Sequence, residues 1–254
     1  MLPSAPDQMR PPVDTIIAPS FPPDLEWINV APLRIEQQAE RPVLVEFWDF
    51  CRPESLAVIP HVKRWHETYG PLGLRVISVH SPGYPPGHDA EVVRSAVERL
   101  GIEHPVVLDP DFECWRAYDN PGWPARYLFA PGLSLVDVHH GDGAIRETEL
   151  AIREQLGLDG DPGPECPPDD ADELLVVPSA GRAGNGSGPY AAGEVWAVCG
   201  GHGELHVNGE TVEVDGPGAV RLVAHPHHTE GVLDLRVGDG VELFETVFLA
   251  GPPA

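Results

Sequence analysis

From about residue 41, short and almost wholly apolar runs alternate with stretches of helical spacing. Apolar runs that lack polar alternation are typical of strands buried on both faces. Such strands are predicted at 43–48, 74–79 and 106–108, and helices at 56–69, 89–100, 111–118 and 144–156. An antiparallel pair at 126–130 and 133–139, joined by Pro131-Gly132, completes the series. Crossover units combined with a hairpin predict an α/β domain.

Individual residues mark the limits of the first two long helices. Asp89 precedes its helix as an N-cap, because a carboxylate accepts hydrogen bonds from the free amides of a helix start. Gly101 stops the same helix. Pro60 interrupts the earlier helix and is expected to kink it, since proline has no amide hydrogen and clashes with the preceding turn.

The pattern changes character after residue 157. Residues 158–173 hold seven acidic residues, four prolines and no basic residue, which predicts an extended, self-repelling linker. A flexible loop is predicted over 178–193, and short alternating runs then predict a β-sandwich. Its strands are expected at 194–199, 203–207, 211–214, 219–223, 232–236 and 241–249. Asn208-Gly209 between two of them favours a type I′ hairpin turn.

These patterns divide the chain into four parts. An extended N-terminal segment is predicted at 1–24, the α/β domain at 25–157, an acidic Pro-rich linker at 158–175 and the β-sandwich domain at 176–254. Apolar residues make up 42% of the chain, which provides for packed cores and excludes global disorder.

Charge narrows the classes of partner. The chain has 16 Lys and Arg residues and 40 Asp and Glu residues, so its net charge is −24. A surface this negative repels nucleic-acid backbones and anionic lipid. We therefore expect no nucleic-acid partner and no membrane partner. The N-terminus has no continuous apolar stretch of the signal-peptide kind, and no apolar run approaches the roughly 20 residues of a membrane span. The expected location is the cytoplasm.

The cysteines and histidines are the candidate metal and redox groups of the chain. No Cys-x-x-Cys pair exists among Cys51, Cys114, Cys166 and Cys199, so the spacing predicts neither a zinc ribbon nor a dithiol centre. His139-His140 ends a strand, and His225, His227 and His228 fall in a predicted turn. A solvated loop is favoured over a metal site there, because nothing in the spacing supplies a further convergent ligand. No metal and no cofactor are predicted.

One stretch of the first domain carries a specific resemblance. The run FWDFCRPESLAVIPHVKRWHETYGPLGLRVISVHSP resembles thioredoxin-like redoxins of the TlpA type, and most closely the thioredoxin-like domains of DipZ-type and NHL-repeat proteins. The resemblance continues through VVLDPDFECWRAYDNPGWPARYLF to the closing helix. DipZ-type proteins also carry a small sandwich similar to a carbohydrate-binding module, which 194–250 resembles. The resemblance thus implies a thioredoxin-like fold followed by an all-β sandwich, in a thiol-disulfide oxidoreductase family.

The same resemblance identifies a degenerate redox site. Members of the family carry a Trp at the strand end, then Cys-x-x-Cys at the helix start, then a helix-kinking Pro. Trp48 and Pro60 keep that spacing and place Arg52 at the attacking cysteine and Ser55 at the resolving cysteine. Cys51 stands one residue too early. Dithiol exchange needs a thiolate at the helix N-terminus and a second thiol to resolve the mixed disulfide, and serine cannot act as either.

The resemblance also implies a groove that binds extended substrate backbone. Pro124 matches the cis-proline of the family, and Trp48, Phe50 and Trp123 are expected to cluster at the same groove, as core or as a binding rim. A protein or peptide is the partner expected there. A sugar ligand of the sandwich is a further expectation from the resemblance, although its aromatic residues are more often core on alternating strands. These aromatics are Tyr190, Trp196, Phe244 and Phe248.

Two functional hypotheses remain open from the sequence. In the first, favoured by the missing cysteines, the protein is a redox-inactive or weakly active binding module. In the second, it is a single-cysteine thiol oxidoreductase or peroxidase using Cys51, helped by Arg52 and the helix start, with Cys114 either resolving it or serving as a buried structural residue. Arg52 is unfavourable at a helix start unless it binds an anion or pairs with Asp49 or Glu54.

Overall fold

The structure is a computed structural model that describes residues 16–164, 166 and 186–253. Most of the predicted N-terminal segment and linker, and residues 178–185 of the predicted loop, lie outside the described residues. No described helix is both long and apolar enough to cross a membrane.

The first domain is an α/β layer structure. Its strands are β1 (Trp27–Ile28), β2 (Val43–Trp48), β3 (Arg75–His80), β4 (Val106–Leu108), β5 (Ala125–Phe129) and β6 (Leu135–His140). They form one sheet in the order β1-β4-β3-β2-β5-β6, in which β2, β3 and β4 are parallel and the other pairings antiparallel. The helices are α1 (Pro53–Tyr69), α2 (Ala90–Arg99), α3 (Glu113–Ala117) and α4 (Ile145–Gln155), with 3₁₀ turns at Ile35–Gln38, Gly70–Leu72 and Pro85–His88.

Strand β2 is the centre of this sheet, and all six of its residues are buried. Side chains alternate between the two faces of a strand, so Val43, Val45 and Phe47 pack in one apolar layer. Leu44 and Trp48 pack in layers on the opposite face, which α1 covers. The apolar run read from the sequence is therefore a strand covered on both sides.

The predicted helix limits are close to those observed. Asp89 caps α2 as predicted, since its Oδ1 accepts the amides of Glu91 at 2.9 Å and Val92 at 3.4 Å. Helix α1 starts earlier than predicted, at Pro53, because proline is tolerated in the first turn, where its missing amide hydrogen is not needed. The same helix continues through Pro60.

The second domain is a pair of antiparallel sheets, which confirms the predicted β-sandwich. Its strands are β7 (Gly188–Gly201), β8 (Gly203–Val207), β9 (Glu210–Val214), β10 (Gly218–Leu233), β11 (Leu235–Val237) and β12 (Val241–Leu249). The sheets have the orders β10-β7-β12 and β11-β8-β9. Asn208 and Gly209 join β8 to β9 with positive φ angles of 51° and 88°, as a type I′ turn requires.

Two local predictions in this domain were wrong. Residues 188–193, predicted as loop, belong to β7 and pair with the far end of β10. The histidines at 225, 227 and 228, predicted in a turn, lie within β10. A register shift between Ala224 and Thr229 accommodates this stretch, which includes Pro226. Proline is compatible with a strand at such a bulge, where a ladder hydrogen bond is already missing.

The two domains share part of a core. Val198 of β7 is fully buried among Phe50, Cys51 and apolar residues of α2 in the first domain. The Ala219 amide donates to the Phe50 carbonyl at 3.2 Å, and Arg99 donates to the Pro217 carbonyl at 2.8 Å. The sandwich therefore packs directly on the part of the first domain that begins α1.

Candidate functional site

The start of α1 holds the predicted degenerate site, and a buried aspartate organises it. Asp49 follows β2 directly, and its two carboxylate oxygens accept the amides of Cys51 at 2.9 Å and Gly83 at 2.8 Å. The Asp49 amide donates to the Ser55 hydroxyl at 3.3 Å. Arg52 is the last residue before the helix and Ser55 is its third residue. Ser55 is thus a buried hydrogen-bonding residue that supports the turn into α1.

Cys51 is closed off from solvent. Its relative exposure is 0%, and it packs with Trp48, Phe50 and Ile59 from the first domain and with Val198 from the second. Burial raises the pKa of the Cys51 thiol far above its ordinary value, and the neighbouring Asp49 carboxylate raises it further, against the smaller effect of Arg52 and Arg99. Burial therefore outweighs the nearby cations, and the thiol is protonated at neutral pH.

Cys114 does not pack with Cys51. It is buried in the apolar layer that contains Phe47, on the sheet face opposite α1, whereas Cys51 packs in the layer of Trp48. All four cysteines are unpaired thiols. Burial, followed by the Asp109 carboxylate, raises the pKa of the Cys114 thiol as well. Cys114 therefore has the surroundings of a buried structural residue, which is one of the two roles that the sequence leaves open for it.

Arg52 stacks on aromatic rings rather than pairing with a carboxylate. Its guanidinium carbon lies 4.3 Å from the Trp123 ring centroid and 5.4 Å from that of Tyr84. Within the described residues, no Asp or Glu oxygen lies within 4.0 Å of it, so the pairing with Asp49 or Glu54 that the sequence leaves open is not formed. The ring contacts offset the unfavourable position of a cation at a helix start.

Gly83 is a residue that sequence reasoning missed. A Cβ atom there would lie 2.8 Å from an Asp49 oxygen and 3.0 Å from the Arg52 Nε. The position therefore needs glycine for the loop after β3 to approach the helix start. The only sequence signal is the Gly and Pro content of 81–87, which marks a loop without showing what it contacts.

The predicted groove residues fall into two groups. The Trp123–Pro124 bond is cis, as predicted. Trp123 is partly exposed, donates from Nε1 to the Ser81 carbonyl at 2.9 Å and contacts the Trp115 ring at 4.3 Å between centroids. Trp48 and Phe50 are buried instead and both contact the ring of His80, at 5.3 and 5.2 Å. Of the four predicted groove residues, Trp123 alone is partly exposed, because Pro124 is buried as well.

Comparisons with known proteins agree with this architecture. No family model matches the chain. Protein DipZ of Mycobacterium bovis is 33% identical over 156 residues, which cover 57% of this chain and 22% of DipZ. Thiol-disulfide oxidoreductase YkuV of Bacillus subtilis is 25% identical over 130 residues, covering 51% of this chain and 87% of YkuV. A solved thioredoxin-like protein in the oxidized form superposes with a TM-score of 0.51 at 23% identity, over 56% of this chain and 95% of its own.

The first domain is thioredoxin-like. The superposition confirms the fold, and the sequence of the chain is similar to those of thiol-disulfide oxidoreductases. The chain spans about a fifth of the length of the DipZ proteins that it matches, at 22%.

A buried polar row crosses the interior of the thioredoxin-like domain behind the site. Ser78 donates to a Glu46 oxygen at 2.7 Å and lies 2.8 Å from Nε2 of His104. Burial raises the pKa of Glu46 to about 7, although the Ser78 hydrogen bond and Arg126 act in the opposite direction. Burial lowers the pKa of His104 to about 3, so this imidazole is neutral at physiological pH. Sequence reasoning missed the row because 43–48 reads as apolar.

The predicted aromatics of the sandwich are mostly core residues. Tyr190 and Phe248 are buried in the sandwich core, and Phe244 packs against the thioredoxin-like domain. Trp196 is partly exposed, with Arg221 over its ring at 5.8 Å. None of these four side chains is fully exposed, and sugar binding stays a prediction from the resemblance.

The predicted histidines make other contacts. His225 bonds the Tyr190 hydroxyl at 2.8 Å, and His140 lies 3.4 Å from the Tyr127 hydroxyl. Throughout 16–164, 166 and 186–253, no three His, Cys, Asp or Glu side chains are grouped as metal ligands would be.

Proposed function

We propose that this chain is a thioredoxin-like binding module that does not exchange disulfides and that binds an extended polypeptide beside cis-Pro124. The observation that carries the proposal is the state of the helix start. In the register that Trp48 and Pro60 set, Arg52 and Ser55 are assigned to the positions of the family's two cysteines. Cys51 is 0% exposed and packs with Val198.

Each step of disulfide exchange lacks a participant. Attack requires an exposed thiolate, but burial raises the pKa of Cys51 and removes its sulfur from solvent. Resolution requires a second thiol close by, but Ser55 is a hydroxyl and Cys114 lies on the other face of the sheet. The same burial argues against Cys51 as a peroxidase nucleophile, since peroxide must also reach a thiolate.

The groove side remains suited to binding. Trp123 presents a partly exposed indole, and the Arg52 guanidinium lies against its face. Tryptophan and arginine side chains dominate the binding energy of many protein interfaces, because they combine large apolar area with directed polar groups. The hydrogen bond from Trp123 to Ser81 fixes the indole before a partner arrives, which lowers the entropy lost on binding.

Redox inactivity is tested by insulin reduction with dithiothreitol. We expect no turnover above the uncatalysed rate, and turnover of the ordinary thioredoxin kind would overturn the proposal. Iodoacetamide labelling provides the second measurement. Cys51 should label in urea but not in the native protein, and fast native labelling at neutral pH would favour the single-cysteine enzyme.

A cysteine-restoring variant tests the register of the site. Arg52→Cys combined with Ser55→Cys, in a Cys51→Ala background, should form an intramolecular disulfide, because the two positions are the cap and third residue of α1. Mass spectrometry after alkylation reads this directly. Failure to form the disulfide in a folded protein would show that the helix start is not the degenerate redox site.

Groove binding is tested with reduced, carboxymethylated insulin B chain as an extended polypeptide probe. Fluorescence anisotropy should show saturable binding that Trp123→Ala weakens by about tenfold, as expected for an interface anchor. Trp196→Ala, which removes a partly exposed indole from the sandwich, is the matched control and should leave binding unchanged. Equal losses in both variants would contradict use of the groove.

A further inference from the structure

A cavity lies at the end of the thioredoxin-like sheet opposite to the degenerate site. Its volume is about 350 Å³, and Arg41 and Arg75 form part of its wall. Arg41 shortly precedes β2 and Arg75 begins β3, which runs parallel to β2, and the Arg75 amide donates to the Pro42 carbonyl at 2.9 Å. The two arginines therefore stand side by side at the amino ends of neighbouring strands, whereas the degenerate site follows the carboxyl end of β2.

Neither guanidinium group has a carboxylate partner. Within residues 16–164, 166 and 186–253, no Asp or Glu oxygen lies within 4.0 Å of Arg41 or Arg75, and the Arg75 Nε is buried without a hydrogen-bond partner. Burial, followed by the Arg41 guanidinium, lowers the pKa of Arg75, so two like charges are held close together. Holding unpaired cations side by side and partly out of water is costly, and a bound anion would relieve that cost.

An imidazole from the last turn of α1 supplies a further donor. His66 lines the cavity, is partly buried, and has a buried Nδ1 without a hydrogen-bond partner among the described residues. This nitrogen lies beside Gly70, another lining residue, where a Cβ would come 3.6 Å from it. A neutral imidazole can carry its hydrogen on Nδ1, and a protonated one donates from both ring nitrogens. Two guanidinium groups and one imidazole thus meet at one cavity.

The carboxylates of the lining do not neutralise these donors. Glu67 and Glu103 also line the cavity, but both are exposed, and neither pairs with an arginine of the cavity in the part of the chain that the structure describes. Their charges act on His66 instead, where they raise the pKa against the larger effects of burial and of Arg75. Leu74, which is buried, adds an apolar surface. The cavity therefore combines partly buried cationic donors with a small apolar wall.

We propose that this cavity binds a phosphate monoester. Such a group carries about two negative charges at neutral pH, which matches two guanidinium groups better than a carboxylate would. The planar fork of arginine donates parallel hydrogen bonds in the geometry of phosphate oxygens. The phosphate would lie between Arg41 and Arg75, and the organic part of the ester against Leu74. The net charge of −24 opposes any anion at long range, so recognition relies on these short contacts.

A phosphorylated small molecule and a phosphorylated side chain of a partner polypeptide share this chemistry. Two-dimensional amide NMR of the full chain compares them through glycerol 3-phosphate and Nα-acetyl-phosphoserine N-methylamide. Acetate, with one charge, and glycerol, with none, are the control probes. Saturable shifts of the Gly70, Leu74 and Arg75 amides are expected with both phosphates. Acetate should bind at least about tenfold more weakly, and glycerol should cause no shift.

The outcome of this comparison names the source of the phosphate. Tighter binding of glycerol 3-phosphate would identify a small molecule as the ligand, tighter binding of the phosphoserine amide a polypeptide, and equal affinities the phosphate group alone. Equal binding of acetate, or no saturable shift with either phosphate, would overturn the proposal. None of these results involves Cys51 or Trp123, so polypeptide binding beside cis-Pro124 is tested separately.

Removing the two charges provides the second measurement. Arg41→Gln with Arg75→Gln should weaken binding of glycerol 3-phosphate at least about tenfold, since its charge-assisted contacts are lost. Arg34→Gln with Arg236→Gln removes the same charge from exposed positions outside the cavity and should leave the affinity unchanged. An equal loss in the two pairs would show that the probe responds to net charge alone, and the cavity would not be a site.

Thermal unfolding separates binding from stability. Glycerol 3-phosphate should raise the Tm of the wild type and of the control pair, but not that of the Arg41→Gln, Arg75→Gln protein. An equal rise in all three would overturn the proposal. If the glutamine pair does not fold, Arg41→Lys with Arg75→Lys keeps both charges but lacks the planar fork, and should lower the affinity by about threefold. An unchanged affinity in the lysine pair would contradict recognition of the phosphate by the arginines.

Discussion

Replacing Glu46 with glutamine should remove a pH dependence from the stability of the thioredoxin-like domain. The carboxyl group is fully buried on β2, and that burial is the main cause of its raised pKa. Glutamine keeps the shape and retains an oxygen to which Ser78 can donate, but it carries no charge. The substitution therefore isolates the cost of ionising a carboxylate inside the sheet.

The magnitude follows from the difference between two pKa values. The ordinary value is 4.5, and the folded protein raises it to about 7. The folded state binds this proton more tightly than the unfolded state, so the stabilisation is full below the unfolded pKa and is lost as pH rises through the folded pKa. Between about pH 5 and about pH 8, wild-type protein should lose about 2 to 3 kcal/mol that Glu46→Gln does not lose.

His104 acts in the opposite direction but does not affect the comparison. Its pKa is lowered from 6.5 to about 3, so its contribution to stability is lost as pH falls below the unfolded value. The group is present in both proteins and cancels in the difference between them.

Urea titrations at the two pH values measure the effect through tryptophan fluorescence, since five of the six tryptophans lie in the thioredoxin-like domain. Glu98→Gln is the control, because Glu98 is exposed on α2. The effect of this substitution on the free energy of unfolding should be the same at both pH values. If the free-energy difference between wild type and Glu46→Gln were the same at both pH values, Glu46 would not be ionised at a cost in the folded interior.

The remaining predictions concern packing and capping. The buried Glu149 carboxylate accepts hydrogen bonds from Arg64, Trp65 and Tyr69. Glu149→Ala leaves these donors without their acceptor and should lower the free energy of unfolding, measured in urea, by about 3 kcal/mol. A loss below about 1 kcal/mol would show that these hydrogen bonds do not stabilise the fold. Val198→Asp should raise the alkylation rate of Cys51 in the native protein at least about tenfold, because it loosens the packing of the second domain over Cys51. Val198→Ala should give a smaller rise and serves if the charged variant does not fold. Unchanged rates in both variants would refute the burial of Cys51 by Val198. Asp89→Ala should lower stability by about 1 kcal/mol in the same titrations, and no change would mean that the cap is not formed.

The sequence was most informative where local pattern and burial coincide. The apolar run at 43–48 predicted β2 because a central strand covered on both faces excludes most polar residues. Asn208-Gly209 predicted its turn because the type I′ geometry needs positive φ at both positions. The histidine stretch of β10 was missed because Pro226 suggests a turn, whereas pairing with β7 on either side of a bulge keeps the strand intact.

The site was predictable in part. Spacing between Trp48 and Pro60 placed Arg52 and Ser55 at the start of α1, which is where the structure has them. Two features of the site were not predictable: the hydrogen bond from the Gly83 amide to Asp49, and the burial of Cys51 under the second domain. Both depend on contacts between residues distant in sequence, and no local periodicity encodes those.

The contact of Val198 with the first domain also bears on how the chain folds during synthesis. The thioredoxin-like domain is translated first, yet part of the apolar layer around Phe50 is completed only by a strand that is translated after the acidic linker. Until then that layer faces solvent on the newly made domain, where exposed apolar surface favours aggregation or chaperone binding. The core of the first domain is therefore complete only after the second domain has been made. A chain that stopped before β7 should fold inefficiently, although it contains every element of the thioredoxin-like fold.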